Sequence, residues 1–287
     1  MTGDNALGEF LRARRGLVLP GGALAPVDRR RRVSGLRREE IALLAGVSVD
    51  YYVRLEQGRE RHPSAQVVEA LARALELDDD AATHLHELAR PRVRRRRQAR
   101  RRERVSTHLA QMMAGWHRTP ALILDRHLTV LAANDLGRAL LAGHTHSDDL
   151  VRLIFLDPDA RSFYPEWERA AANTVAGLRA AVGLDRDDPA LIELVGELSV
   201  KSEPFRRLWA RHDVRQKSHE VKRFHHPVVG ELTLTYEALT VNSAPGQQLV
   251  VYHAEPGSPS EQALALLGSL AATDQDAPSR PTSTTKT

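Results

Sequence analysis

Residues 49 to 57 read VDYYVRLEQ. A helical step of 100° divides them into two faces. Tyr52 and Leu55 fall together, with Tyr51 at their edge, while Val49, Asp50, Val53, Arg54 and Gln57 fall opposite. The first face is suited to burial. The second offers methyl groups, a carboxylate, an amide and a guanidinium, a chemical mixture with less charge than a plainly solvated face. Other residues invite metal or nucleophile chemistry. His84 and His86, His144 and His146 followed by Asp148 and Asp149, and the pair His225-His226 are the histidine clusters. An i, i+2 pair on a helix diverges by about 200°, so His84 and His86 cannot share an ion. HTHSDD lies in a loop and lacks a third clustered ligand. No GxSxG, GxGxxG or P-loop occurs, and there is no cysteine. The expectation is no catalytic residue, no metal and no cofactor.

The elements around the opening stretch are short helices. Leu7, Phe10 and Leu11 mark the first, and REEIALLAG marks a second that stops at Gly46. Ser48 caps the third, which ends at Gly58. Ser64 caps a fourth through Val67, Val68, Leu71 and Leu75, and LELDDDAATHLHELARP supplies a fifth, closed by Pro91. Between the first two lies the Pro/Gly-rich insertion 17–33 with Arg29 to Arg32, read either as a basic arm or as a solvated loop. The run RVRRRRQARRRER, residues 92–104, marks a boundary.

Charge divides at the same place. Residues 1–104 hold 23 Arg and no Lys against 15 acids, a net of +8; the remaining 183 residues carry −4. An anionic polymer is therefore expected to meet the first part only. No apolar run approaches the roughly 20 residues that a bilayer span needs, and the N-terminus lacks the apolar core of a signal peptide. The expectation is a cytoplasmic protein with no membrane association.

The pair REEIALLA and SVDYYVRLEQ, joined by Gly46-Val47, has the makings of a helix-turn-helix: a supporting helix, a tight corner and an exposed second helix. The stretch GLRREEIALLAGVSVDYYVRLEQGRERHPS resembles the XRE-type, repressor-like family, with Ala42, Gly46, Val47, Leu55, Glu56, Gly58 and Pro63 in register over about residues 5–90. That resemblance implies a five-helix domain on double-stranded DNA, working as a homodimer. By position it implies base contacts from Val49, Asp50 and Val53, and phosphate contacts from Arg37, Arg38, Arg54, Arg59 and Arg61. Valine methyls suit thymine C5-methyl groups, and Asp50 can accept from cytosine N4.

Beyond the boundary, ALILD and TVLAAND read as two strands, with Asn134-Asp135 capping the next helix. Helices follow over about 148–211, interrupted at Asp157-Pro158, Tyr164-Pro165, Asp188-Pro189 and Glu203-Pro204. Three strands close the pattern in KRFHHPVV, ELTLTYEAL and QQLVVYHAEP. About five strands with inserted helices predict an α+β domain with a mainly antiparallel sheet. PALILDRHLTVLAAND, the LDPDARSFYPEWERAA region, VGELSVKSEPFRRLWARHDVR and KRFHHPVVGELTLTYEAL together resemble the MmyB-like transcriptional regulators over about 105–258. This implies a PAS-like domain that binds a small molecule, with Ala133, where relatives often carry an aromatic residue, leaving room in a pocket.

The division expected is 1–90 for the helix-turn-helix domain, 91–104 for an Arg-rich linker, 105–258 for the ligand-binding domain, and 259–287 for a helix remnant and disordered tail beginning TDQDAPS. The strand face Leu232, Leu234, Tyr236, Ala238, with Leu122, Leu124, Val130 and Phe224, would wall an apolar pocket. Arg207, Arg211, Arg215, Lys222, His225 and His226 lie near it in sequence. An apolar cavity with a cationic rim suits an amphiphile such as a fatty acid, with Arg215 and His226 as anchors and Asn134 and Tyr236 as hydrogen-bonding partners. The alternative is a second domain that serves only as a dimerisation scaffold, using the apolar stripes of LVRLIF and ALIELVGEL.

Overall fold

The computed structural model describes residues 5–19, 35–90, 104–182, 188–214 and 219–276. The Arg29 to Arg32 run, most of the arginine-rich boundary segment, and Arg215 lie outside them. Thirteen helices and five strands are described: α1 (Ala6–Arg15), α2 (Arg38–Leu44), α3 (Val49–Glu56), α4 (Ala65–Ala74), α5 (Asp79–Ala89), α6 (Thr107–Ala114), β1 (Ala121–Leu124), β2 (Val130–Ala133), α7 (Asp135–Leu140), α8 (Leu150–Leu156), α9 (Ala160–Phe163), α10 (Trp167–Val182), α11 (Pro189–Lys201), α12 (Glu203–Ala210), β3 (His219–His226), β4 (Gly230–Thr240), β5 (Gln248–His253) and α13 (Pro259–Asp276). They form two compact units. One holds Met1–Ala99 and Ala171–Gln216, the other Arg100–Ala170 and Lys217–Thr287.

In the first unit the corner between α2 and α3 forms as its residues dictate. Gly46 takes φ +66°, a conformation costly for a residue with a Cβ. The Val47 amide donates to the Ala42 carbonyl at 2.9 Å, and the half-buried Val47 side chain packs on the core. Ser48 accepts the Tyr51 amide at 3.1 Å, which starts α3. Tyr52 and Leu55 then bury fully among Phe10, Leu11, Ile41, Leu71 and Leu85. Ser64 and Asp78 cap α4 and α5 by the same chemistry. The apolar spacing thus yields a five-helix core. Val214, far along the chain, belongs to that core as well, and Ala180 packs against it.

The second unit is built on an antiparallel sheet in the order β2-β1-β5-β4-β3. Asp125 shapes the β1–β2 turn by accepting the His127 and Thr129 amides at 2.8 and 2.9 Å. Alternation along β4 buries Leu232, Leu234 and Tyr236 and exposes Glu231 and Thr233. On the opposite face Ala121, Ile123 and Leu249 cluster with Met113 of α6 and with the partly buried Trp116. All four X-Pro positions interrupt helices: Asp157 and Tyr164 terminate α8 and α9, and Asp188 and Ser202 cap α11 and α12 with proline in the first turn. One expectation is corrected. Residues 273–276, assigned to the disordered tail, continue α13, whose last turns include a Thr273 hydroxyl bonded to the Ser269 carbonyl at 3.0 Å.

Candidate functional site

With Tyr52 and Leu55 turned inward, α3 presents Val49, Asp50 and Arg54 to solvent, with Val53 half-buried. Val49 keeps 40% of its surface exposed. The Asp50 carboxylate lies 3.6 Å from the Arg54 guanidinium, and both are exposed enough to exchange that partner for another. Arg54 also sits 5.7 Å from the Tyr51 ring centroid.

Around this helix the expected phosphate residues occupy two positions. Arg37 and Arg38 stand at the start of α2, where the Arg37 amide donates to Glu40 at 2.5 Å. Arg59 and Arg61 follow α3, and both are exposed; Arg61 Nε donates to the Gly58 carbonyl at 2.9 Å. Arg38 is tied down on one side, for its Nε lies 2.8 Å from Glu56. Glu56 itself is fully buried and takes a second guanidinium, Arg15, at 2.7 Å. Arg15 reaches on to the Leu36 carbonyl at 2.7 Å. Burial alone would raise the Glu56 carboxyl, but the hydrogen bonds and charges of Arg15 and Arg38 hold it below its ordinary range. Asn5 adds a bond to the Glu56 carbonyl at 2.9 Å. This hub links α1, α2 and α3, and sequence reasoning passed over it. The available signal was spacing: Glu56 stands four residues after Tyr52, on the buried face.

In the second unit, cross-strand register places Tyr236 opposite Tyr252 and opposite Glu220, Leu234 opposite Lys222, and Leu232 opposite Phe224. The rings of Tyr236, Tyr252 and Phe224 meet at 5.7–5.8 Å. Phe163 and Tyr164, from the end of α9, approach Phe224 at 5.2 and 5.5 Å. Lys222 Nζ sits 4.6 Å from the Tyr236 centroid. Burial, with the charges of Glu220 and Glu237, pushes the Tyr236 hydroxyl up to about 12. The strand alternation that brings Lys222 onto this aromatic face exposes Arg223 and His225 on the other.

Two further residues expected at the ligand are engaged in the fold. Asn134 accepts the Ala121 and Gly137 amides at 2.9 and 2.8 Å and donates to the Trp116 and Thr119 carbonyls at 3.0 and 2.8 Å. His226 is buried, with Nε2 donating to the Ala139 carbonyl and Nδ1 accepting the Val228 amide, both at 3.2 Å. His144 lies 3.3 Å from Asp157, a partner outside its own HTHSDD loop. Among the described residues no group of three or more His, Asp or Glu is placed to hold a metal ion. No described helix is long and apolar enough to cross a membrane.

Comparison with protein families agrees with both halves. Residues 6–85 match a helix-turn-helix domain, and residues 105–267 match the MmyB-like transcription regulator ligand binding domain. No curated protein matches the chain. A helix-turn-helix with its second helix exposed binds DNA, and the longer match supplies a ligand-binding domain over more than half of the sequence. The chain belongs to the MmyB-like transcription regulators.

Proposed function

We propose that the chain is a sequence-specific regulator in which α3 enters the major groove. Val49, Asp50 and Val53 read base edges there, while Arg37, Arg38, Arg54, Arg59 and Arg61 hold phosphates. The observation that carries this reading is the division of α3, whose tyrosine and leucine are fully buried while its mixed face stays open. Phosphate contacts position and base contacts specify. Selection of bound duplexes from a randomised pool, followed by sequencing, tests it. Asp50→Ala should change the preferred base at one position by about 1–3 kcal/mol of discrimination, whereas Arg54→Ala should weaken all duplexes alike. A uniform loss from Asp50→Ala overturns this docking of α3.

The ligand-binding domain is proposed to sense an acidic amphiphile of the fatty-acid kind. Leu232, Leu234, Phe224 and Tyr236 supply the apolar wall, and Lys222 places a cation on the same sheet face. Lys222 is proposed to meet the acidic group, with Tyr236 as a hydrogen-bonding partner; His226 and Asn134 support this wall through their bonds to the chain. Native mass spectrometry of the purified protein, then melting curves with acyl acids and matching alcohols, gives the test. Acids should raise the midpoint more than alcohols, and Lys222→Ala should remove that difference. A homodimer completes the proposal, since one eight-residue helix reads few bases. The exposed Ile192 and Val200 on α11 offer an apolar stripe for the second copy, and they also favour the scaffold reading of this domain if no ligand is found.

A further inference from the structure

Residues 171–216 fall inside the ligand-binding match, yet they pack into the same unit as α1–α5. The contact has several independent parts. Asp213, in the turn after α12, lies 2.5 Å from Arg14 of α1, with both side chains partly buried. His212 meets the edge of Phe10 at 6.5 Å, and Phe10 is fully buried in the helix-turn-helix core. Val214 is itself a buried member of that core. The turn is braced from behind. The buried Arg179 of α10 donates to the Trp209 carbonyl at 2.5 Å, lies 3.3 Å from His212 Nδ1, and spreads its guanidinium 4.0 Å over the Trp209 ring. His212 takes φ +54°, a backbone conformation uncommon outside glycine that the surrounding contacts must hold.

Arg14 adjoins Arg15, and Arg15 holds Glu56, which holds Arg38 at the start of α2. We infer that the 209–214 turn is a latch on α1, through which the ligand-binding match governs the order of the DNA-binding helices. A latch that is closed fixes the last turn of α1, keeps Arg15 on Glu56, and thereby keeps Arg38 in position. The open face of α3 carries none of the latch contacts, so DNA and latch can be engaged together. The coupling is therefore one of order and not of blockage. It rests on the DNA-binding reading for its consequence, though the latch itself can be measured without DNA.

The full chain carrying Asp213→Arg is compared with the native chain and with the charge swap Arg14→Glu/Asp213→Arg, by amide hydrogen exchange and by binding to a random-sequence duplex at fixed salt. The single substitution adds positive charge, so long-range electrostatics alone would tighten duplex binding. A latch predicts the reverse: several-fold faster exchange in α1 and in 209–214, weaker binding, and recovery of both in the swap, whose net charge equals the native value. Because Asp213 also pairs with Arg211 at 2.9 Å, all chains are compared in the Arg211→Ala background as well; there, unchanged exchange in α1 or no recovery in the swap overturns the latch. Altered exchange that recovers in the swap while duplex binding stays constant shows a brace without coupling, and overturns the inferred control of DNA binding. Absence of duplex binding by the native chain strikes the DNA-binding reading instead.

Discussion

Glu56 exposes no surface, and an unmatched carboxylate there would cost several kcal/mol. Arg15 and Arg38 match it from either side, one partly buried and one substantially exposed. Glu56→Ala should therefore cost about 3 kcal/mol, most of it from Arg15 left in a dry site without its partner; denaturant midpoints measure this. The sign of the pH dependence follows from the held-down carboxyl. Because the unfolded chain takes up the proton first, the contribution is present above the ordinary value of 4.5 and is lost as pH falls below it. His226, in the other unit, behaves alike in a different window. Burial, with the charge of His144 adding and the Ala139 bond opposing, holds it below 6.5, so its contribution begins to fade as pH drops through 6.5. Stability should decline first in the sheet unit and only later in the helical unit. Glu56→Gln should flatten the later stage alone.

Two glycines bound α3, and they make different demands. Gly46 takes φ +66° with open space where a Cβ would stand, so Gly46→Ala should cost only the conformational penalty, about 1–2 kcal/mol. Gly58 takes φ +70°, and its Cβ would stand 2.6 Å from Asn5 Oδ1, which already accepts the Gly8 amide. Gly58→Ala should therefore be the more damaging, and thermal unfolding of the two variants orders them. Equal losses would mean that Asn5 yields freely. These turns, the serine caps and the buried tyrosine were legible in the sequence because each is fixed by residues within a few positions. The five strands were legible through alternation, and the X-Pro breaks through the missing amide. Glu56 was not, since a residue in register says nothing about whether two distant guanidinium groups close over it. Nor was the place of Val214 in the helical core: a composition break at 92–104 marks where the chain changes character, and a residue about 110 positions beyond it can still rejoin the first core.

The whole chain carries +4, but this is the residue of a basic first part against an acidic remainder. A polyanion therefore meets opposite fields on one polypeptide, and the affinity should come from residues 1–104 alone. Each phosphate neutralised on duplex DNA releases counterions with a log–log slope of roughly −0.9. Five arginines per protomer, Arg37, Arg38, Arg54, Arg59 and Arg61, then give a slope near −4 to −5. Two of them start from existing ion pairs, Arg38 with Glu56 and Arg54 with Asp50. Arg38 can keep its buried partner through Nε while its terminal nitrogens face a phosphate, but Arg54 must loosen from Asp50 if that carboxylate is to meet a base. Arg54→Ala should accordingly flatten the salt slope by about one phosphate's worth while weakening all duplexes alike. Titrations of one duplex over a range of salt, with native chain and variant in parallel, measure that change in slope. A binding constant independent of salt would remove phosphate contact from the account, and with it the role assigned to all five arginines.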